Sequence, residues 1–522
     1  MDMAIKVGML IVFFGVMIGV GFYCRKHSTD VGGFVLGGRS VGPWLTAFAY
    51  GTSYFSAVVF VGYAGQFGWK YGVAATWAGI GNALIGSLLA WWVLGRRTRV
   101  MTQHLDSATM PQFFEGRFNS KPLKLAASAV IFIFLIPYTA SLYNGLSRLF
   151  GMAFHIDYSV CVILMAVLTA IYVIVGGYMA TAINDFIQGM VMLVGIVAVI
   201  VAVLKTQGGL SEALANLSQI PNPQNPDMTG AFTSFFGPDP VNLLGVVLLT
   251  SLGTWGLPQM VQKFYAIKSE KAINKGMIIS TVFALIVAGG CYFLGGFARL
   301  FGDRVDVVKE GFDAIIPTML SDLSPLLIAV VVVLVLSASM STLSSLVLAS
   351  SSTLTLDFIK GTLVKNLNEK KQLLIMRVLI AVFIAISVVI ALIQYNSGVT
   401  FIAQLMGVSW GALAGAFLAP FLYGLYWKRT TVASVWVWFA FSTVVMLANI
   451  FAQPYFPPLL QSPINAGVFC MLAGLVIVPL VSIFTKSPKK ELVEQVFSCY
   501  NRKVMVSAAD AIGEPLTKED SE

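Results

Sequence analysis

Residues Ser337 to Ser352 read SASMSTLSSLVLASSS inside an apolar run that begins near Leu326. Ser341, Thr342, Ser344 and Ser345 fall at i, i+1, i+3 and i+4, so a helix puts three of them on one face with Thr342 at its edge. Such a face offers hard oxygen donors without a fixed charge, which suits an alkali cation better than a transition metal. For a transition metal the chain has only His27, His104, His155 and five scattered cysteines. The cysteines are odd in number and lack CxxC spacing, so they imply neither a zinc site nor a disulfide framework. The plainer use of these hydroxyls is to bond back to their own helix or to join neighbouring helices. A second candidate is Asp185, in GGYMATAINDFIQG, at the expected inner start of a span. An ionisable group in a membrane helix is a functional candidate; its alternative is an interfacial helix cap with Asn184.

These residues sit in a chain built for a bilayer. Of 522 residues 57% are hydrophobic and 11% charged, with a mean hydropathy of +0.83, whereas soluble domains carry about 25% charged residues. Apolar runs long enough to cross about 30 Å of hydrocarbon recur about thirteen times. The expected organisation is a first peripheral helix (1–24), two sets of five spans (43–204 and 241–426), two C-terminal helices (432–485) and a polar tail (486–522). The first span has the acidic Asp2, no basic leader and no small-residue cleavage site, so it reads as a retained helix rather than a signal peptide. With the N terminus outside, every Lys and Arg except Lys6, Lys70, Arg148, Lys205, Arg299, Arg304 and Lys309 falls in inner loops and tail. Basic loops stay cytoplasmic, which places the C terminus inside and accounts for the net charge of +9 without nucleic acid.

The second and seventh spans are interrupted, by Gly51-Thr52-Ser53-Tyr54-Phe55-Ser56 and by Gly253-Thr254-Trp255-Gly256-Leu257-Pro258. Unwound backbone at membrane depth is tolerated only where it lines a cavity or is buried in protein. Matched breaks in two halves point to an inverted-repeat secondary transporter with its site near the midplane; the alternative is that the glycines allow close packing or a kink. Spans two to six and seven to eleven form the two expected repeats. The basic loop after the seventh span is expected to run from Lys263 to Lys275, leaving no Lys or Arg near either break. An anionic or zwitterionic solute would then be held by a helix N terminus, while a neutral one needs no charge at all.

Taken together, GGRSVGP (Gly37 to Pro43), MPQFFEGRF (Met110 to Phe118), IYVIVGGYMA followed by NDFIQ (Ile171 to Gln188), GLPQMVQKF (Gly256 to Phe264), SMSTLSS (Ser339 to Ser345) and a Gly-rich eleventh span resemble the sodium/solute symporter family. The resemblance covers nearly the whole chain and is closest to the bacterial sodium/proline symporters. It implies an all-α polytopic membrane protein of about thirteen transmembrane helices with a five-plus-five inverted-repeat core. It also implies Na+-driven uptake of a small organic solute, such as an amino acid or small carboxylate, by alternating access at the plasma membrane. By the same resemblance, a first Na+ site takes the carbonyls of Thr52, Phe55 and Ala338 and the hydroxyls of Ser341 and Thr342. A second Na+ site, present in some members, would combine Asp185 with Ser341, Ser344 and Ser345. Proline symporters carry Asp where this chain has Tyr54 and Ser-Gly where it has Ser56-Ala57. The lost carboxylate leaves a pocket of aromatic and neutral character.

Solute contacts are expected from both breaks and the helices facing them: Tyr54, Ser56, Tyr143, Trp255, Gln259, Gln404 and Trp410. The coupling ions are one or two Na+, with no organic cofactor and no obligate protein partner beyond the lipid bilayer. A proton-coupled symporter of the same fold, with Asp185 as carrier, and a transporter-like sensor are the competing readings. An intramembrane hydrolase is excluded because neither Ser341 nor Asp185 has a basic partner in the sequence pattern.

Overall fold

The computed structural model describes residues 2–154, 157–223, 228–360, 363–364, 367–397 and 402–501. It is helical throughout; among the described residues strand pairing is limited to two isolated bridges. Among the described residues ten helices are long and apolar enough to cross a membrane, or eleven when one bent pair is counted as a single span. Eight helices position the site. In chain order they are α1 (Pro43–Tyr54), α2 (Lys121–Phe154), α3 (Tyr158–Thr206), α4 (Pro240–Leu252), α5 (Pro258–Ala266), α6 (Glu270–Gly295), α7 (Pro325–Thr353) and α8 (Ile402–Tyr426).

Both interruptions read from the sequence are breaks in the structure. α1 ends at Tyr54, Phe55 is extended (φ −84°, ψ 113°), and helical backbone resumes with a π turn over Val58–Tyr63. The other break passes from α4 through a 3₁₀ turn, Gly253–Trp255, to an extended Leu257 (φ −79°, ψ 122°) before α5 starts. The two arms meet at 41°. Proline opens α5 because its fixed φ suits a first helical turn and its missing N–H costs nothing there. The span therefore runs on to Ala266 rather than stopping near Gln259, and Lys263 belongs to buried helix rather than to the expected basic loop.

α3 moves another expected boundary. Its 49 residues are two helical arms joined at one non-helical residue, Gly177 (φ 57°, ψ −152°), a left-handed conformation that glycine adopts without the Cβ penalty. A Cβ there would also meet Phe34 at 2.9 Å. Asp185 thus lies two turns beyond the kink, inside the helix and fully buried, not at an interfacial start. The polar segment before α2 is likewise ordered: Thr109 caps a helix over Met110–Phe118. Its buried Arg117 donates to the carbonyls of Gly424 and Trp427 at the end of α8, and burial pushes the guanidinium down to about 10. The segment after α3 also holds a short helix, Leu210–Ser218.

α7 is the axis of the bundle. From Val331 to Thr353 its side chains are buried, packed by α3, α2, α1 and α5. Hydroxyls on an all-round buried helix mostly need partners, and on α7 most find them, Ser337 and Ser350 excepted. That constraint builds the site.

Candidate cation and solute site

Two hydroxyls on α7 reach the broken second span. The Thr342 hydroxyl lies 3.1 Å from the Thr52 carbonyl, 3.4 Å from that of Phe55 and 3.1 Å from that of Ala338, on its own helix. Ser341 Oγ lies 3.2 Å from the Thr52 carbonyl and 3.1 Å from that of Ala338. The carbonyls of Thr52 and Phe55 are available because the break at Phe55 removes their i+4 donors. Three carbonyls and two hydroxyls therefore converge where the chain unwinds. Each hydroxyl has one proton to donate and two lone pairs to offer, so it can bridge carbonyls or turn its oxygen to a cation. The donor set is all oxygen and uncharged, which fits a hard monovalent ion.

One turn along α7 the chemistry changes. Ser345 Oγ lies 3.0 Å from Ser53 Oγ on α1 and accepts a hydrogen bond of 3.0 Å from Lys263 Nζ. The same ammonium stands 3.8 Å from Asp185 Oδ2 and 5.1 Å from the centre of the Tyr178 ring. Lys263 is 2% exposed and Asp185 0%. Ser344 turns back to the Ser341 carbonyl at 2.9 Å, and Tyr172 donates to the Met340 carbonyl at 2.9 Å. The structure thus joins Asp185 to Ser345 through Lys263, a cation that the sequence reading left in a loop, while Ser344 turns to Ser341 and Tyr172 instead. The expectation of no Lys or Arg near the breaks fails, because α5 carries Lys263 five residues past Pro258. Proline as a helix-starting signal could have revealed it.

The expected solute residues divide into three groups. Ser56, Tyr143, Gln259 and Trp410 are buried, and the Ser56 hydroxyl, Tyr143 hydroxyl, both Gln259 amide atoms and Trp410 Nε1 lack well-aligned hydrogen-bond partners among the described residues. Trp410 covers Gly253 at the break and meets Tyr138 edge-on, with ring centres 6.0 Å apart. Tyr138, absent from the sequence reading, turns its hydroxyl toward Ser56 and Trp410. Its only sequence signal is its place beside Pro137 in an apolar run. Trp255 is instead bonded to the Ile85 carbonyl at 3.0 Å. Gln404 is exposed, on the wall of a polar cavity of about 470 Å³ that also carries Gln66, Lys70, Asp239 and Arg299. The Tyr54 side chain lies outside the described residues. At the opposite end of the bundle, between Thr109, Pro258, Gln262 and Ser352, the space is only about 10 Å³, roughly room for one water.

A helical bundle that buries two broken helices against a hydroxyl-bearing third defines a membrane protein that carries small solutes. The chain belongs to the sodium:solute symporter family, whose model matches residues 34–435. It is accordingly a transporter and not an enzyme. It is 30% identical over 495 residues to the sodium/proline symporter of Staphylococcus aureus, in strains JH9 and NCTC 8325 among others, with 92% of each chain covered. Its fold is similar to that of a Na+-coupled sialic acid symporter in a substrate-bound outward-open state, with a TM-score of 0.73 at 17% identity over 93% of this chain and 99% of that one.

Proposed function

We propose that the protein takes up a small organic solute, such as an amino acid or a small carboxylate, by alternating access at the plasma membrane, and that Na+ couples the cycle at the oxygen cage of Thr52, Phe55, Ala338, Ser341 and Thr342. The observation that carries this reading is the convergence of those five oxygens across a helix break. Na+ entering the cage accepts lone pairs from hydroxyls that otherwise donate to the carbonyls, and so ties the broken second span to α7. An ion that binds one conformation better biases the equilibrium toward it by its differential affinity. The membrane potential adds about 2.3 kcal/mol per charge per 100 mV to the work available.

Counting the arms on either side of Gly72 and of Gly177 as separate spans, and those on either side of Phe55 and of Leu257 as one, gives about thirteen crossings. In this reading residues 43–204 and 241–426 are inverted repeats, the N terminus is outside and the C terminus cytoplasmic. The polar cavity beside Lys70 and Arg299 is then the outer vestibule and the closed end near Thr109 the inner gate. The solute pocket is built from Ser56, Tyr138, Tyr143, Gln259 and Trp410, whose unspent polar tips await a polar ligand. Tyr54, in place of the acid of proline symporters, sets the solute apart from proline.

The test is thermal stability of the purified protein across a NaCl series, with choline chloride as control, on wild type and Thr342→Ala. Stabilisation specific to Na+ that Thr342→Ala loses supports the cage, and the solute is then sought by screening amino acids and carboxylates in NaCl. Equal effects of the two salts on folded wild type would overturn Na+ coupling and move the role to a proton carried by Asp185.

A further inference from the structure

The cluster around Asp185 has the composition of a cation site, and its cation is already covalently present. Asp185 sits in α3 with both carboxylate oxygens buried and without hydrogen bonds, and its ion-pair partner is Lys263 Nζ at 3.8 Å. The ammonium is a compact point charge on a flexible stem with three donors. One donor goes to Ser345 Oγ, which lies against Ser53 Oγ, and the charge also lies over the Tyr178 ring. Four elements, α1, α3, α5 and α7, meet on this one charge. A free Na+ at Asp185 and Ser345 would have to share their oxygens with an ammonium that a buried carboxylate has every electrostatic reason to keep.

We propose that Lys263 is a tethered cation occupying the Asp185–Ser345 site, so that the protein binds one Na+ per molecule, in the cage of Thr52, Phe55, Ala338, Ser341 and Thr342, and none at Asp185. The proposal rests on the reading of that cage as a Na+ site. It assigns to Lys263 a specificity role: the ammonium neutralises Asp185 and excludes a second ion. Lys263 rides on the arm beyond the Leu257 break, so movement of that arm carries its charge away from Asp185. The ammonium thus ties the seventh span to α3 through Asp185 and to α7 through Ser345 in the conformation seen here.

The experiment counts ²²Na+ bound at saturation by the purified full-length protein. Wild type should hold one ion per molecule and Lys263→Arg, which keeps the charge, also one. Lys263→Met should hold two, because the uncovered carboxylate with Ser345 admits a second Na+. The double variant Lys263→Met/Asp185→Asn, which removes both charges and leaves no uncompensated ion in the core, should return to one. Two ions on wild type, or one ion on folded Lys263→Met, would overturn the proposal. If Lys263→Met does not fold, the double variant decides: a count below that of wild type means Asp185 was holding Na+, and the proposal fails. Thr342→Ala separates the underlying reading, since it should take wild type from one ion to none. A wild-type ion that survives Thr342→Ala overturns the cage, whatever Lys263 does.

Discussion

The two ends of the hydroxyl face on α7 are one helical turn apart and solve the same physical problem differently. At Ser341 and Thr342 the buried oxygens are neutral, and the unwound backbone at Phe55 supplies carbonyls to match them. At Ser345 a carboxylate has been buried, and a lysine from the other broken span answers it. A neutral cage costs little when empty, because its hydroxyls bond to its carbonyls, so it can take and release an ion. A buried carboxylate without a counter-charge is expensive, so that end must be filled at all times. In the proposed reading, exchangeable and fixed cations are thereby kept on one helix without mixing.

The sharpest way to break this contrast is to remove one charge of the fixed pair. Lys263→Met in choline chloride should lose about 3–5 kcal/mol of stability, seen as a lowered unfolding temperature, and NaCl should restore part of it. Lys263→Met/Asp185→Asn should lose much less than the two single changes combined, and a double-mutant cycle measures the coupling. At the exchangeable end Thr342→Ala should cost the Na+-free protein only about 1 kcal/mol, from carbonyls left without the hydroxyl. It should abolish the Na+-specific stabilisation in the same thermal assay, a loss of affinity well beyond the tenfold that corresponds to about 1.4 kcal/mol. Between the two ends, Ser345→Ala removes one acceptor of the ammonium but leaves Asp185. It should cost about 1 kcal/mol and leave the NaCl response intact. Ser344→Ala should have the smallest effect, about 0.5 kcal/mol, because its hydroxyl bonds to the Ser341 carbonyl and to Tyr172 and not to the ammonium; a Na+ response lost there would erase the distinction between the ends.

Much of this was legible in the residues. The breaks at Gly51–Ser56 and Gly253–Pro258 announce themselves because glycine, small hydroxyl residues and proline interrupt otherwise apolar runs, and both are breaks in the structure. The hydroxyl face of α7 follows from helical periodicity alone, and its five-oxygen grouping with Thr52, Phe55 and Ala338 was accessible through the family pattern. Lys263 was not, because charge in a sequence reads as loop until something fixes where the helix ends. Tyr138 was not, because a tyrosine in an apolar run does not say which way its hydroxyl turns. Asp185 was placed at the start of a span, whereas the helical arm that carries it begins just after Gly177.

What the sequence determined by itself is what depends on local covalent chemistry: the membrane setting, the helices, the two unwound points and the type of donor on each face. The tertiary structure decided which oxygens meet and which charge answers Asp185. Those depend on contacts between residues up to 292 positions apart, as for Ser345 and Ser53, and no local pattern specifies the angle of 41° at which the arm carrying Lys263 turns back into the core. Burial then fixes the outcome, since a charge withdrawn from water must find its opposite in the protein.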